Sequence, residues 1–273
     1  MTFSTIPTPS PGSSECAPYY QNDLTAVAEV SANDVWAVGF YCGSGNTQPT
    51  LTEHWDGSQW TQVASPNPSS YSALYGVVAF ATDNVWAVGQ DYGTPLPSTL
   101  IEHWNGNGWS IVGSPNPPGR TAYLAAVAGS SPTDIWAVGY SGSAAGTIPL
   151  VEHYDGRDKN GQTGLTEHWD GTEWRLVSGP VAGPAETQFY AVAANSSHDV
   201  WAFGSTWNNS FDMVPLIEHW TGGAWQIVTS PDPGKAGEFF GATSIQGHLW
   251  GVGDCGLQAG GYVSDPLTLV IKR

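Results

Sequence analysis

The sequence is poor in basic residues and in cysteine, and it has no long apolar run. Only 7 Lys and Arg residues oppose 24 Asp and Glu residues, so the 273-residue chain has a formal net charge of −17. A surface this acidic repels nucleic-acid phosphates and anionic membranes, and neither is expected as a partner. A membrane-spanning helix needs about 18 consecutive apolar residues, and the sequence contains no such stretch.

The first residues of the sequence lack the basic and apolar segments of a secretory leader. The strong negative charge nevertheless suits a salty or extracellular setting. We therefore expect an extracellular protein whose leader is absent from this sequence, and a cytoplasmic protein is the alternative.

The most prominent feature that the sequence does have is a repeated phrase. Asp34–Gly39 reads Asp-Val-Trp-Ala-Val-Gly, and related phrases stand at Asn84–Gly89, Asp134–Gly139, Asp199–Gly204 and His248–Gly253. Their tryptophans, at positions 36, 86, 136, 201 and 250, are spaced by 50, 50, 65 and 49 residues. A strand-like period of about 50 residues is typical of a β-propeller with one repeat per blade.

Each repeat predicts four short strands that are separated by turn residues. The first strand is predicted at Leu24–Val30, Leu74–Phe80, Leu124–Ser130, Phe189–Asn195 and Phe239–Ile245. The repeated phrase is the second strand. The third is predicted at Leu51–Trp55, Leu100–Trp104, Leu165–Trp169 and Leu216–Trp220. The fourth begins at Trp60, Trp109, Trp174 or Trp225.

Both ends of the chain align with parts of a repeat. Phe3–Pro11 aligns without gaps on the fourth strand Trp60–Pro68, and Pro266–Ile271 aligns on the third strand Pro215–Trp220. We predict that the beginning of the chain completes the last blade, which closes a five-bladed ring and removes a free sheet edge. The chain is then one domain, residues 1–273, with repeats at about 12–68, 69–117, 118–182, 183–233, and 234–273 plus 1–11.

Over its whole length the chain resembles bacterial propeller repeats of the kelch and WD type, through the period and the strand pattern. Its five-fold closure is similar to that of tachylectin-type lectins. It has no kelch double-glycine pattern, and its blade is longer than a tachylectin repeat. The resemblance implies an all-β, five-bladed propeller of four-stranded blades, but a shared fold does not imply a shared function.

Most residues of the repeat are expected to be scaffold. Thirteen of the 14 tryptophans occupy repeat positions and are expected to fill the core between blades. A Glu-His pair recurs in the third strand, for example Glu53-His54, but neighbouring strand residues point to opposite faces and cannot form one dyad. The similarity to WD blades implies that the histidine is hydrogen-bonded to a turn aspartate as a brace. A metal or catalytic site is the alternative.

The third repeat contains an insertion. Leu150–Gly156 is copied as Leu165–Gly171, and the connection between them places Asp158, Asn160 and Glu167 at three ligand positions of a calcium loop. Position 1 of that loop would be Gly156, which offers no side-chain ligand. We expect a solvated hairpin and no cofactor, and a calcium site is the alternative.

The predicted binding face carries the connections that differ between repeats. In a propeller these loops share one face, at the mouth of the central channel, and such loops commonly carry function. Trp207, the one tryptophan outside the repeat, stands beside two amides and suits stacking on a sugar ring. Loop anchors that pack on their own blade are the alternative. The candidate ligand-binding residues are Tyr20, Tyr41, Asp91, Tyr92, Arg120, Tyr123, Tyr140, Tyr190, Trp207, Asn208, Phe240 and Asp254.

Two acidic residues form the candidate catalytic pair. Asp23 and Glu238 immediately precede the core residues of the first strands in the first and last repeats, which are neighbours in a closed ring. Two carboxyl groups at the same height could divide acid and base roles, as in glycoside hydrolysis. A solvated acidic rim is the alternative.

The three cysteines, Cys16, Cys42 and Cys255, fall in connections near the predicted closure. A Cys16–Cys42 or a Cys42–Cys255 disulfide would tie this seam. Three buried free thiols and a reactive or metal-binding thiol are the alternatives.

The sequence therefore favours a non-enzymatic recognition module that binds a glycan or small molecule on the variable face. A lectin-like protein is the first hypothesis. An enzyme of the glycoside hydrolase or lyase type, with one asymmetric site at the channel mouth, is the second. A protein-interaction scaffold is the third.

Overall fold

The fold consists of β-strands joined by turns and loops. The computed structural model describes residues 5–12, 22–93, 95–143, 146–154, 167–169, 174–177, 179–180, 187–208, 212–230, 237–245, 248–255 and 265–271. Within these ranges the chain forms no helix, and hence none that could cross a membrane.

The chain divides into two compact units, Met1–Val112 and Gly113–Arg273. The first unit contains two four-stranded antiparallel sheets in which each strand pairs with the next along the chain. One sheet comprises β1 (Asp23–Ser31), β2 (Asp34–Phe40), β3 (Thr50–Trp55) and β4 (Trp60–Val63). The other comprises β5 (Ser72–Ala81), β6 (Asn84–Asp91), β7 (Ser98–Trp104) and β8 (Trp109–Ile111).

The second unit contains three sheets. The first of them comprises β9 (Thr121–Ser131), β10 (Asp134–Ser143), β11 (Gly146–Tyr154), β12 (Glu167–Trp169) and β13 (Arg175–Leu176). The next comprises β14 (Thr187–Ser196), β15 (Asp199–Trp207), β16 (Met213–Trp220) and β17 (Trp225–Val228). The last comprises β18 (Gly237–Ile245), β19 (His248–Cys255) and β20 (Asp265–Ile271).

The predicted strand pattern is confirmed, because every predicted first and second strand overlaps an observed one. The third repeat departs from the prediction. There β11, which contains the first copy of the duplicated segment, pairs with β10 over nine residue pairs from Ile135↔Tyr154 to Ser143↔Gly146. The second copy, predicted as the third strand, forms the short edge strand β12, parallel to β11. Only two residues separate β10 from β11. Because a short loop costs little entropy to close, the first copy is favoured over the second as the partner of β10.

The predicted closure of a ring stays a prediction. Residues 5–12 form no strand, and the sheet of β18, β19 and β20 has three strands within the described residues. The single domain over residues 1–273 also stays a prediction.

The repeat tryptophans form much of the core, as predicted. Those of the second strands, Trp36, Trp86, Trp136 and Trp201, are at most 5% exposed. In the first unit Trp36 packs with the apolar side chains of the next sheet, among them Leu74 and Leu100. Trp250 is the exception, with 39% exposure, and it lies in the three-stranded last sheet.

The predicted histidine brace is present in three sheets. Nε2 of His54 lies 2.8 Å from Oδ1 of Asp34, and His219 makes the equivalent contact with Asp199 at 2.8 Å. In the second sheet His103 reaches Asn84 at 3.0 Å. An amide oxygen only accepts hydrogen bonds, so His103 donates its Nε2 proton there.

Candidate functional site

A β-bulge recurs in the first strand of every sheet. One extra residue stands opposite the glycine that ends the repeated phrase, and these bulge residues are Thr25, Tyr75, Ala125, Tyr190 and Phe240. A bulge bends its strand and re-aims the side chain of the extra residue. The bulge thus presents an aromatic ring in three of the five sheets.

The glycine of the phrase is required at this place by close backbone contact. A Cβ added to Gly89 would lie 1.9 Å from the carbonyl oxygen of Ala73, and one added to Gly39 would lie 1.8 Å from that of Asp23. No side chain fits at such distances. The glycine is therefore the part of the phrase that accommodates the bulge.

The first unit contains a cavity of about 530 Å³ next to the bulge residue Tyr75. Aromatic rings, two side-chain amides, a hydroxyl and a cysteine line it, and the residues are Phe40, Cys42, Asn46, Thr47, Gln48, Tyr71 and Tyr92. None of these side chains is charged at neutral pH. We call this the Tyr92 cavity.

One wall of the Tyr92 cavity is the connection between β2 and β3. The amide of Tyr41 donates to the carbonyl of Pro49 at 3.0 Å, and the amide of Gly43 donates to that of Thr47 at 2.9 Å. These bonds narrow the connection into a small hairpin. At its tip Asn46 has φ of 58°, in the left-handed region that asparagine tolerates better than most residues.

The opposite wall comes from the second sheet. The backbone of Gln48 bridges to it, because Gln48 donates to the carbonyl of Ser70 at 2.8 Å and accepts from the amide of Ser72 at 2.7 Å. The hydroxyl of Tyr71 bonds Asn46, and the hydroxyls of Tyr75 and Tyr92 lie 3.4 Å apart. As whole residues, Tyr71 and Tyr92 remain 40% and 44% exposed. The rings are held in place and still accessible.

Asp91 supports this wall from within, and its side chain is buried. The side chain is 8% exposed, and its carboxylate accepts hydrogen bonds from the hydroxyls of Ser69 and Ser72 and from the amide of Gly93. Its placement thus assigns Asp91, a candidate ligand-binding residue, to positioning of the loop that carries Tyr92.

Cys42 is disulfide-bonded and 2% exposed, in the wall of the same cavity. The side chains of Cys16 and Cys255 lie outside the described residues, so the predicted choice between these two partners stays open.

The candidate residues of the fourth and fifth sheets form a second aromatic group. The rings of Tyr190 and Phe240 are 5.9 Å apart, and the Tyr190 hydroxyl donates to Oε1 of Gln188 at 2.5 Å. Phe240 is 51% exposed. Trp207 is half-buried at the end of β15, and Asn208 closes a turn through two hydrogen bonds of 2.9 Å with the backbone of Asp212.

The candidates of the third sheet pack on each other. The rings of Tyr123 and Tyr140, a cross-strand pair, stack at 4.7 Å. Arg120 is half-buried and donates from Nη1 to the carbonyl of Ser141 at 3.5 Å. These contacts fit the alternative that we gave for such residues, a loop anchor.

The two candidate catalytic acids lie in different units. Asp23 begins β1 and is exposed. Glu238 is half-buried in β18, directly across from Asp254 of β19. Burial raises the pKa of Glu238, and the negative charge of Asp254 raises it further. The carboxyl group that faces Glu238 within its own sheet is thus Asp254.

Some sequence predictions fall outside the described residues. These are Tyr20, Cys16 and the calcium candidates Asp158 and Asn160, together with the side chain of Glu167. Within the described ranges no group of three or more His, Cys, Asp or Glu side chains could hold a metal ion.

Four lining residues of the Tyr92 cavity were not suggested by the sequence: Phe40, Asn46, Thr47 and Gln48. Asn46 follows Gly45 in a turn, and loop amides of this kind are too common to mark a site. One sequence signal could have found them. The connection from Phe40 to Gln48 is short enough to form a hairpin, and the loop of the next repeat contains the aromatic residue Tyr71.

The repeated four-stranded antiparallel sheets and the site in their connections define a β-propeller-like protein. No known protein family matches the chain, and no curated protein does. Similar solved structures are β-propeller-like. A Hadza microbial sialidase, Hz136, has a TM-score of 0.53 at 11% identity, with 85% of this chain and 50% of that chain covered.

Two further structures are similar at lower scores. YCF48 bound to D1 peptide has a TM-score of 0.47 at 13% identity, covering 86% of this chain and 63% of that one. A Thermus thermophilus protein described as an oxidoreductase (glucose dehydrogenase) has a TM-score of 0.45 at 9% identity, covering 91% and 87%. The chain thus spans half of the sialidase and less than two thirds of YCF48.

Proposed function

We propose that the chain is a recognition module that binds a neutral carbohydrate in the Tyr92 cavity. The observation that carries the proposal is the combination of accessible aromatic rings with amide and hydroxyl groups on one preformed cavity. Ligand sites are typically concave and largely apolar, with a few polar groups that fix orientation.

The lining chemistry matches the two kinds of surface on a sugar. A pyranose presents an apolar C–H face, which packs on aromatic rings such as those of Tyr71 and Tyr92, and a rim of hydroxyls. The side chains of Asn46, Thr47 and Gln48 offer donors and acceptors for that rim. A cavity of about 530 Å³ accommodates one or two sugar rings.

Charge favours a neutral ligand over an acidic one. The lining residues include no Lys or Arg to pair with a carboxylate or sulfate. The net charge of −17 adds a repulsive field for any anion that approaches. Sialylated and sulfated glycans are therefore expected to bind more weakly than neutral ones.

A glycan array followed by calorimetry tests this proposal. Tyr92→Ala removes a stacking ring and should lower affinity for the bound neutral sugar about tenfold or more. Tyr92→Phe keeps the ring and should retain most of the affinity. Ile111→Ala, at a 47% exposed position of the same unit, is the matched control and should bind like the parent. Absence of glycan binding, or equal affinity of Tyr92→Ala, would refute the proposal.

A second candidate function, sugar hydrolysis, rests on one observation in the last sheet. Burial and the charge of Asp254 raise the pKa of Glu238, which faces Asp254, and a carboxyl group of raised pKa opposite a second carboxyl group is an arrangement suited to general acid catalysis. For this candidate, Glu238→Gln should abolish hydrolysis of a chromogenic glycoside without changing the melting temperature. If the parent protein turns over no such substrate, the candidate fails.

We also propose the closed five-bladed ring, in which the first residues of the chain complete the last sheet. The gap-free alignment of Phe3–Pro11 on Trp60–Pro68 supports it. The exposure of Trp250 and Val252, at 39% and 49%, supports it too, because the other second-strand tryptophans are buried.

An extracellular location is likewise a proposal. The disulfide of Cys42 supports it, because disulfides persist mainly in oxidising compartments. Fractionation of the native cells tests it, and recovery of the protein from the cytoplasm alone would contradict it.

A further inference from the structure

Three glutamates of the third strands are buried at the same repeat position. Glu53, Glu102 and Glu218 have 0% exposure, although they belong to three different sheets. In the described part of the protein, no hydrogen bond reaches the carboxyl oxygens of Glu53 and Glu218, and the one side chain that interacts with the Glu102 carboxyl is Ser65. Buried carboxyl groups normally have partners, so a repeated exception requires an explanation.

The cross-strand neighbours of Glu102 and Glu218 are apolar residues. Across from Glu102 in its own sheet are Ala87 and Ile111. From the preceding sheet the Ser65 hydroxyl, which bonds Thr50 at 2.6 Å, approaches the Glu102 carboxyl.

Glu218 has the same kind of surroundings. Ala202 and Ile227 are its cross-strand neighbours. The backbone of Gly179 comes so close that a Cβ there would lie 2.7 Å from Oε2 of Glu218. No charged side chain among these neighbours compensates an ionised carboxylate.

Burial raises the pKa of all three groups from the ordinary value of 4.5. The pKa reaches about 7 for Glu53 and about 8 for both Glu102 and Glu218. In the case of Glu102, the Ser65 hydroxyl opposes part of the rise. A buried group without a partner adopts its neutral form because ionisation in an apolar site is costly.

We propose that these buried glutamic acids are a set of proton-binding sites through which mild acid stabilises the folded protein. Each carboxyl group is a neutral acid in the folded chain and loses its proton when the chain unfolds near neutral pH. The apolar surroundings at equivalent positions of two sheets make this a property of the repeat.

The sign follows from the pKa values. A carboxyl group whose pKa is higher in the folded state makes its full contribution to stability below its unfolded pKa. That contribution is lost as the pH rises from there through the folded pKa, because the folded chain holds a proton that the unfolded chain has released. Each such proton changes the unfolding constant about tenfold per pH unit within that interval. Burial also lowers the pKa of His103, which acts in the opposite sense below its ordinary value of 6.5.

The window from about pH 6.5 to 7.5 is therefore the cleanest, because Glu102 and Glu218 still hold protons there and histidine contributes little. Urea unfolding across this window should give an unfolding constant that rises by about a hundredfold per pH unit for the protons of Glu102 and Glu218, with a smaller addition from Glu53, which titrates within the window.

Glu102→Gln and Glu218→Gln provide the decisive variants, because glutamine keeps the shape and cannot ionise. Each substitution removes one linked proton, so the rise of the unfolding constant per pH unit should be about tenfold smaller than in the parent. Each variant should also be more stable than the parent at pH 8. Glu29→Gln, on the exposed face of β1, is the control and should leave the pH dependence unchanged. Unchanged pH dependence in both glutamine variants would overturn the proposal, as would a parent protein whose stability is flat between pH 6.5 and 7.5. If one variant fails to fold, the other and the parent still decide.

Discussion

The residue with the clearest structural task is the acid or amide that begins the second strand. Oδ1 of Asp199 accepts a hydrogen bond from Nε1 of Trp201 and also contacts Nε2 of His219, and both distances are 2.8 Å. The Trp201 and His219 rings stack at 3.8 Å. One oxygen thus orients two rings that fill the space between sheets, and Asn84 does the same for Trp86 and His103.

Replacement of Asp199 tests this brace. Asp199→Ala leaves a largely buried indole N–H and an imidazole without their acceptor and should lower the free energy of unfolding by about 2–4 kcal/mol. Asp199→Asn retains the oxygen, as Asn84 shows in the second sheet, and should stay within about 1 kcal/mol of the parent. Urea unfolding followed by tryptophan fluorescence measures both. Equal losses for the two variants would mean that charge, and not the acceptor, is what matters.

At the scale of the element, the bulge of the first strand and the glycine of the second strand depend on each other. The extra residue Tyr75 lets the first strand bend, and Gly89 lets the second strand approach it closely. The same pair recurs as Tyr190 with Gly204. The bulge places the Tyr75 hydroxyl beside that of Tyr92 at the cavity.

A methyl group at this glycine should disrupt the element. Gly89→Ala would place Cβ 1.9 Å from the carbonyl oxygen of Ala73, so the strands must separate. We expect a loss of about 2 kcal/mol or more in unfolding free energy, together with weaker ligand binding through displacement of Tyr75. Gly108→Ala, where an added Cβ meets nothing within 4 Å, is the control. A Gly89→Ala protein that melts with the parent would contradict this account of the bulge.

The strands were predictable because they rest on a repeated pattern. The second strands follow directly from the Val-Trp-Ala-Val-Gly phrase, and their ends differ from the prediction by few residues. The bulges were not predicted, since the residue at the bulge varies from Thr25 to Phe240 and carries no fixed signature. The third repeat contains two similar copies of the third strand, and the sequence of the copies does not tell which one pairs with β10. The shorter connection to the first copy decided it.

At the scale of the whole molecule, the site was only partly predictable. The sequence located variable aromatic loops and placed Tyr92 among the candidates. It did not identify the cavity, because the walls depend on backbone contacts such as Gln48 with Ser70 and Ser72. Asp91 was also among the candidates, although burial and three hydrogen-bond donors show that it supports the loop that carries Tyr92.

Removal of residues 1–11 tests the proposed closure of the ring. If these residues pair with β20, its outward-facing amides (residues 265–271) should be protected from hydrogen exchange in the full chain and exchange rapidly in the truncated one. Removal of residues 1 and 2 alone is the control and should leave the protection intact. Equal exchange in the full and truncated chains would show that the last sheet ends at β20.

A crystal structure of the protein soaked in a mixed library of neutral sugars tests the central claim most directly. The account predicts electron density for a sugar ring within the Tyr92 cavity, packed on Tyr71 or Tyr92 and hydrogen-bonded to the side chains of Asn46 or Gln48. Density for the sugar at another place, such as Trp207 or Phe240, or a cavity that stays empty at saturating sugar, would contradict it.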